Sequence, residues 1–146
     1  MIRPVEISEL ELAYTLGAKF YQEGNVPGQI KKDVFINTWT TFISTKVGIV
    51  FGLFNDKDLI GMIGGIIFPD PNDGDLVATE MFWYVDKTQR GIGGIKLFEL
   101  FKKWAILAKA KRLIMVHLVE LMPEKLDRFY RKQGFLPTEI SYIKEL

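Results

Sequence analysis

Met81–Ala108 reads MFWYVDKTQRGIGGIKLFELFKKWAILA. Met81 to Val85 is an unbroken apolar and aromatic run, as in a strand covered on both faces. Leu97, Phe98, Phe101, Trp104, Ala105 and Ala108 recur at helical spacing and form one stripe, with Glu99, Lys102, Lys103 and Lys109 off it. Between strand and helix lies Gln89-Arg90-Gly91-Ile92-Gly93-Gly94. Glycines let backbone approach a ligand closely. A helix opening after them directs free N–H groups and the positive end of its dipole into the turn. Such a turn suits an anion, typically a phosphate or pyrophosphate. Its plainer reading is a glycine turn that only lets strand and helix pack tightly.

Two phosphate motifs fail on specific residues. A mononucleotide P-loop ends in Gly-Lys-Ser or Gly-Lys-Thr, whereas Gly94 is followed by Ile95 and Lys96 with no hydroxyl for Mg²⁺. A dinucleotide fold needs G-x-G-x-x-G and an acid about 20 residues on. Glycines at 91, 93 and 94 lack that spacing, and Lys111–Leu113 is basic or apolar.

A second motif follows. Met122, Leu126, Phe129 and Tyr130 form a helical stripe, Pro123 suits the first helical position, and Gly134 supplies the stop. Tyr130 therefore lies on the inner face of a short helix, where an ordinary core aromatic is the alternative. The two motifs together, from about Glu80 to Leu146, resemble the GNAT superfamily of N-acetyltransferases. That family carries a Q/R-x-x-G-x-G/A loop between strand and helix, then a shorter helix ending in Tyr-x-x-x-Gly-Phe; here Tyr130-Arg131-Lys132-Gln133-Gly134-Phe135 stands in that place. Counted from the strand, Val85 to Arg90-Gly91 matches with Lys87 where Pro is usual. Counted from the helix, Gln89 and Gly94 match with Ile92 where Gly is usual.

The resemblance implies a mixed α/β (α+β) fold, with a mostly antiparallel sheet of about six to seven strands flanked by about four helices. It implies acetyl-CoA as co-substrate and an amine of a small molecule or peptide as acceptor. Gln89, Arg90, Gly91, Ile92, Gly93, Gly94 and Ile95 would grip the pyrophosphate, Arg90 adding charge. Tyr84 and Val85 end the strand whose N–H groups would face the reacting carbonyl. Tyr130 would be the general acid beside the CoA sulfur. Tyr21, Trp39 and Tyr142 fall in regions that shape the family's acceptor pocket, and each is equally well a core residue.

Amine acetylation needs a base. Freeing an amine of pKa about 10.4 at about pH 7.4 costs roughly 4 kcal/mol. Glu80, just before the apolar strand, is the candidate, since burying an acid there without a purpose or partner is costly. An acid paired with a lysine at the strand edge is the alternative. His117 is the only histidine and lies in a strand-like run, where a hydrogen-bonded structural role is the more common one. No G-x-S-x-G turn presents a serine, and one histidine with no cysteine argues against a metal.

Composition fits a single domain over residues 1–146, with 48% apolar and 25% charged residues. A net charge of +1 gives no footprint for nucleic acid. No disulfide can form. No signal peptide or membrane-length apolar run is visible, so a cytoplasmic location and no membrane partner are expected.

The first half is a lead-in. Ile2–Ile7 suggests a strand, Ser8-Glu9-Leu10-Glu11 a capping box opening a helix, and Gly24–Gly28 its end. A second helix is expected from Gln29 to Ser44. Val47–Phe54 and Leu59–Phe68 form a hairpin, Leu76–Val85 the next strand, and Leu113–Leu118 another. Glu139–Leu146 alternates as a last strand, an edge usable for homodimerisation. Two rival functions remain from the sequence: a non-catalytic CoA-binding or sensing domain, and an interaction domain with no ligand.

Overall fold

The computed structural model describes residues 1–146. Five strands form one sheet in chain order: β1 (Ile2–Pro4), β2 (Gly48–Asn55), β3 (Asp58–Pro69), β4 (Leu76–Val85) and β5 (Arg112–Ile114). The first three pairings are antiparallel and β4–β5 is parallel. Four helices accompany it: α1 (Leu10–Glu23), α2 (Lys32–Ser44), α3 (Ile92–Leu107) and α4 (Pro123–Lys132). The mixed α+β class is as expected, with five strands rather than six to seven.

The sheet separates two cores. On one side Leu10, Ala13 and Leu16 of α1 and Trp39 of α2 pack on Val50, Phe54, Met62, Phe82 and Tyr84. On the other, Leu97 and Phe101 of α3 pack on Phe51, Ile63 and Val85. The α3 stripe read from the sequence is the buried one, with Leu97, Phe98 and Phe101 fully covered. Parallel β4 and β5 need a crossover, and α3 supplies it.

A bulge breaks the β3–β4 ladder. Gly64 opposes Phe82 and Gly65 opposes Glu80, so Met81 is the extra residue. Gly65 is sterically required, because a Cβ there would lie 2.3 Å from the Thr79 carbonyl oxygen and 2.4 Å from the Phe101 ring. The bulge falls beside Glu80 and re-aims that part of β4.

Four local expectations are corrected. The strand expected over Ile2–Ile7 ends at Pro4, and Ile7–Glu9 is a 3₁₀ turn. The capping box belongs to Glu6 and Glu9 rather than Ser8 and Glu11: the Glu9 carboxylate accepts the Glu6 N–H at 3.0 Å and takes both Arg3 nitrogens at 2.7 Å. The strand expected over Leu113–Leu118 stops at Ile114, because the backbone of Val116 bonds to side chains instead of a ladder. Glu139–Leu146 is not a strand. Ile140, Tyr142 and Ile143 are 78%, 91% and 76% exposed; alternation without a paired neighbour does not hold a strand. An edge-strand homodimer therefore has no strand to rest on.

Candidate functional site

The turn between β4 and α3 is built by Asp86. Its carboxylate accepts the N–H and hydroxyl of Thr88 at 3.1 and 2.8 Å, and its carbonyl accepts the Gln89 N–H at 2.8 Å. Lys19 of α1 clamps the same carboxylate at 3.0 Å. That bond, then those from Thr88, hold Asp86 at about 2. Past this point the backbone donors open out. The Gly94 N–H reaches the Gly91 carbonyl at 3.2 Å, but the amides of Arg90, Gly91, Ile92 and Gly93 have no protein acceptor. They sit at the positive end of a 16-residue helix. A Cβ on Gly91 would meet nothing within 4 Å, so the space beside Gly91 is open. Gly93 has a packing reason instead: its Cβ would press within 2.6 Å of Leu53.

Arg90 is already engaged. It donates to the Val85 carbonyl at 3.0 Å and to Glu23 at 2.6 Å, contacts the Met122 sulfur at 3.8 Å, and lies 5.6 Å from the Tyr84 ring centroid. Tyr84 also donates to Glu23, at 2.6 Å. Burial pushes Glu23 upward, but these bonds and the Arg90 and Lys87 charges outweigh it and hold the carboxylate below its ordinary value. Burial, then the Glu23 hydrogen bond, pushes the Tyr84 hydroxyl up, so it remains a donor. Arg90 therefore brings a charge balanced by Glu23 and braces the loop against α1. The Tyr84 ring is buried toward the α1 core, which leaves only its backbone for a ligand.

Beyond Thr79–Ile114 the parallel strands part. The gap is bridged by side chains. Glu80, 5% exposed, accepts the Val116 N–H on Oε2 at 3.1 Å. Tyr130 of α4 donates to the Val116 carbonyl at 2.7 Å. Glu80 and Tyr130 thus flank one peptide segment. The rings of Trp83, Phe129 and Phe135 surround Tyr130, and Phe98 of α3 packs on Trp83, Phe129 and Phe135, which fixes α4 on the α3 side. Burial pushes Glu80 up to about 8, against the Val116 N–H that favours its charged form. Burial and the Glu80 charge both push the Tyr130 hydroxyl up. No buried side-chain oxygen lacks a partner, and Oε1 of Glu80 has no protein donor; that oxygen is reached from a cavity.

This cavity, about 250 Å³, lies between α1, α2, β4 and the segment after β5. Tyr21, Trp39 and Glu80 line it, and Tyr142 does not. His117 sits at its rim, exposed and without a side-chain hydrogen bond. Sequence reasoning passed over Glu23, Asp86 and Val116. Asp86 carried a signal, an Asp two residues before Thr88 in a turn. Glu23 and Val116 carried none, since their roles depend on contacts far along the chain.

A family model described as the Acetyltransferase (GNAT) family matches residues 14–135. Among solved structures, the chain is similar to a predicted acetyltransferase with acetyl-CoA from Clostridium acetobutylicum, at 12% identity and TM-score 0.82 over 99% of this chain and 95% of that one. It is similar to a glucosamine-6-phosphate N-acetyltransferase from Arabidopsis thaliana, at 17% identity and TM-score 0.77 over 99% and 97%. A transcriptional regulator from Bacillus halodurans C-125 aligns at 18% identity and TM-score 0.80 over 100% and 99%. At these identities the likeness speaks to the fold. No curated protein matches the sequence.

Proposed function

Because the chain belongs to the acetyltransferase (GNAT) family, we propose that it transfers an acetyl group from acetyl-CoA to a primary amine by direct attack in a ternary complex. The observation that carries this reading is the row of unpaired amides from Arg90 to Gly93 at the start of α3, beside the fork where Glu80 and Tyr130 meet Val116. Four consecutive unpaired N–H groups at a helix N-terminus suit a diphosphate. The unpaired edge of β4 beyond Thr79 suits an extended amide-bearing arm, whose own N–H and C=O can take the place of a strand.

The chemistry then divides between two side chains. An acceptor in the cavity meets Oε1 of Glu80. With a pKa of about 8, Glu80 takes the ammonium proton near pH 8, where base strength and the ionised fraction are both adequate. The amine nitrogen bonds to the thioester carbon, the carbonyl oxygen gains charge and is met by a strand N–H near Val85. The oxyanion then re-forms the carbonyl as the carbon–sulfur bond breaks. The acylated nitrogen sheds its remaining extra proton through water to the thiolate leaving toward Tyr130, and Glu80 returns its own proton to solvent. A thiol pKa is about 8.5 and a tyrosine pKa about 10 before burial raises it. Full transfer from Tyr130 to sulfur is therefore uphill, and its main role is to donate a hydrogen bond as sulfur gains charge. In doing so it exchanges its present acceptor, the Val116 carbonyl.

The test is release of free thiol from acetyl-CoA with an amine panel, on the native chain and on Tyr130→Phe. Amine-dependent thiol release that falls at least about tenfold in the variant, with acetyl-CoA binding kept, is the expected result. Acetyl-CoA binding without thiol release from any amine would leave only a binding domain.

A further inference from the structure

The acceptor cavity is apolar, aromatic and free of cations. Phe35, Trp39 and Phe82 form one wall, with ring centroids 5.0 Å apart for Trp39–Phe82 and 6.2 Å for Phe35–Phe82. Phe20 and Tyr21 of α1 face it, and Met62 lies beneath. Of its 17 lining residues, 14 are hydrophobic. Glu80 is the one acid, and no lysine or arginine lines the space. Apart from Glu80, the side chains of Tyr21, Trp39 and Trp83 each bring one polar atom to the lining, and His117 sits at the rim.

These features select among amines. A phosphorylated amine needs a cation for its phosphate and finds none. A polyamine needs a second carboxylate for its far ammonium. An amino sugar brings several hydroxyls into a wall with almost no partners, and each unpartnered hydroxyl weakens binding. An engineered apolar cavity of about 150 Å³ holds benzene; about 250 Å³ holds an aromatic ring with a short amine-bearing chain. Aromatic walls meet such a ring edge-to-face, and they favour an ammonium near ring faces before it loses its proton.

From this we infer that the acceptor is a small arylalkylamine: one aromatic body, one primary amine, no anionic group. The amine points to Oε1 of Glu80 and the ring lies against Trp39 and Phe82. This specificity rests on the acetyltransferase reading above. Val26, from the α1–α2 loop, lines the cavity and is half-buried, so Val26→Lys brings a cation to the space without removing core.

The experiment measures kcat/KM for thiol release with phenethylamine, tryptamine, spermidine, glucosamine 6-phosphate and an alanine-initiated peptide, alongside thermal stabilisation by acetyl-CoA. The two arylalkylamines should exceed spermidine and glucosamine 6-phosphate by at least about 100-fold. Val26→Lys should raise KM for phenethylamine about tenfold or more and leave stabilisation by acetyl-CoA unchanged. Stabilisation by acetyl-CoA with spermidine, the sugar phosphate or the peptide as the best substrate would overturn this inference and leave the transferase standing. Stabilisation with no turnover of either arylalkylamine would overturn it as well. Absence of any stabilisation by acetyl-CoA would overturn the transferase reading itself, and this inference with it.

Discussion

Replacing Glu80 by glutamine isolates the energetic consequence of burying an acid at the fork. The carboxyl has an ordinary value of 4.5 and is raised to about 8 in the folded chain. A group whose folded value is raised contributes fully below its unfolded value and loses that contribution as pH climbs toward the folded one. Between pH 4.5 and 8 the unfolded chain releases the proton while the folded chain keeps it, so stability falls with a slope of about 1.4 kcal/mol per pH unit. The total is at most about 5 kcal/mol, and roughly 2.5 kcal/mol is lost between about pH 5 and pH 7. A glutamine does not titrate, so the Glu80→Gln variant lacks this slope. Its side-chain oxygen can still accept the Val116 N–H. Urea unfolding of both chains at each pH from about 5 to 9 reads the difference. With an m-value of roughly 2 kcal/mol per molar, the native midpoint should fall relative to the variant by about 1 M from pH 5 to 7. Asp86 and Glu9, both held at about 2, lose their contributions only as pH falls below the ordinary carboxylate range, so they leave this window clear. Parallel curves for the two chains across the window would refute the assignment of a protonated, buried Glu80.

Other outcomes follow from the same contacts. With Glu80 as base, kcat/KM should rise with pH and level off above about 8, and Glu80→Gln should remove that limb. Gly91→Ala should leave the unfolding midpoint nearly unchanged, because its Cβ enters open space, and should weaken acetyl-CoA binding by at least about tenfold, or 1.4 kcal/mol, if the diphosphate closes on the backbone of this residue. Gly65→Ala, by contrast, should lower stability by roughly 3 kcal/mol or more, read by denaturant unfolding, as it drives a Cβ into the Thr79 carbonyl and Phe101. Glu23→Gln places an amide N–H₂ where two donors, Tyr84 and Arg90, now converge; it should destabilise by about 1–3 kcal/mol. It should also release Arg90 and tighten acetyl-CoA binding by up to about tenfold in calorimetry; weaker binding would mean that Arg90 serves the loop only from its present position.

What could be read from the sequence was whatever depends on near neighbours. The α3 stripe, the β2–β3 hairpin and β4 follow from local periodicity, and the structure places them within a few residues of expectation. The glycine turn before α3 was visible for the same reason. Contacts made across the chain were not. Glu9 is drawn to Arg3, which moves the cap two residues earlier than Ser8 suggested. Val116 gives its backbone to Glu80 and Tyr130, which ends β5 early although Met115-Val116-His117-Leu118 has strand character. Arg90 looked like a free cation because Glu23 is 67 residues away. The tail alternates correctly yet pairs with nothing, since a period of two says which face a residue takes but not whether a neighbouring strand exists.

The central claim is that the amides of Arg90 to Gly93 are unpaired donors poised for a diphosphate, and amide NMR reads them one by one. Titrating the native chain with CoA should move those four signals downfield and slow their hydrogen exchange, while pantetheine, which lacks the diphosphate, should leave them in place. Unchanged amides at 90–93 in a CoA-saturated sample, or an equal response to pantetheine, would contradict the claim.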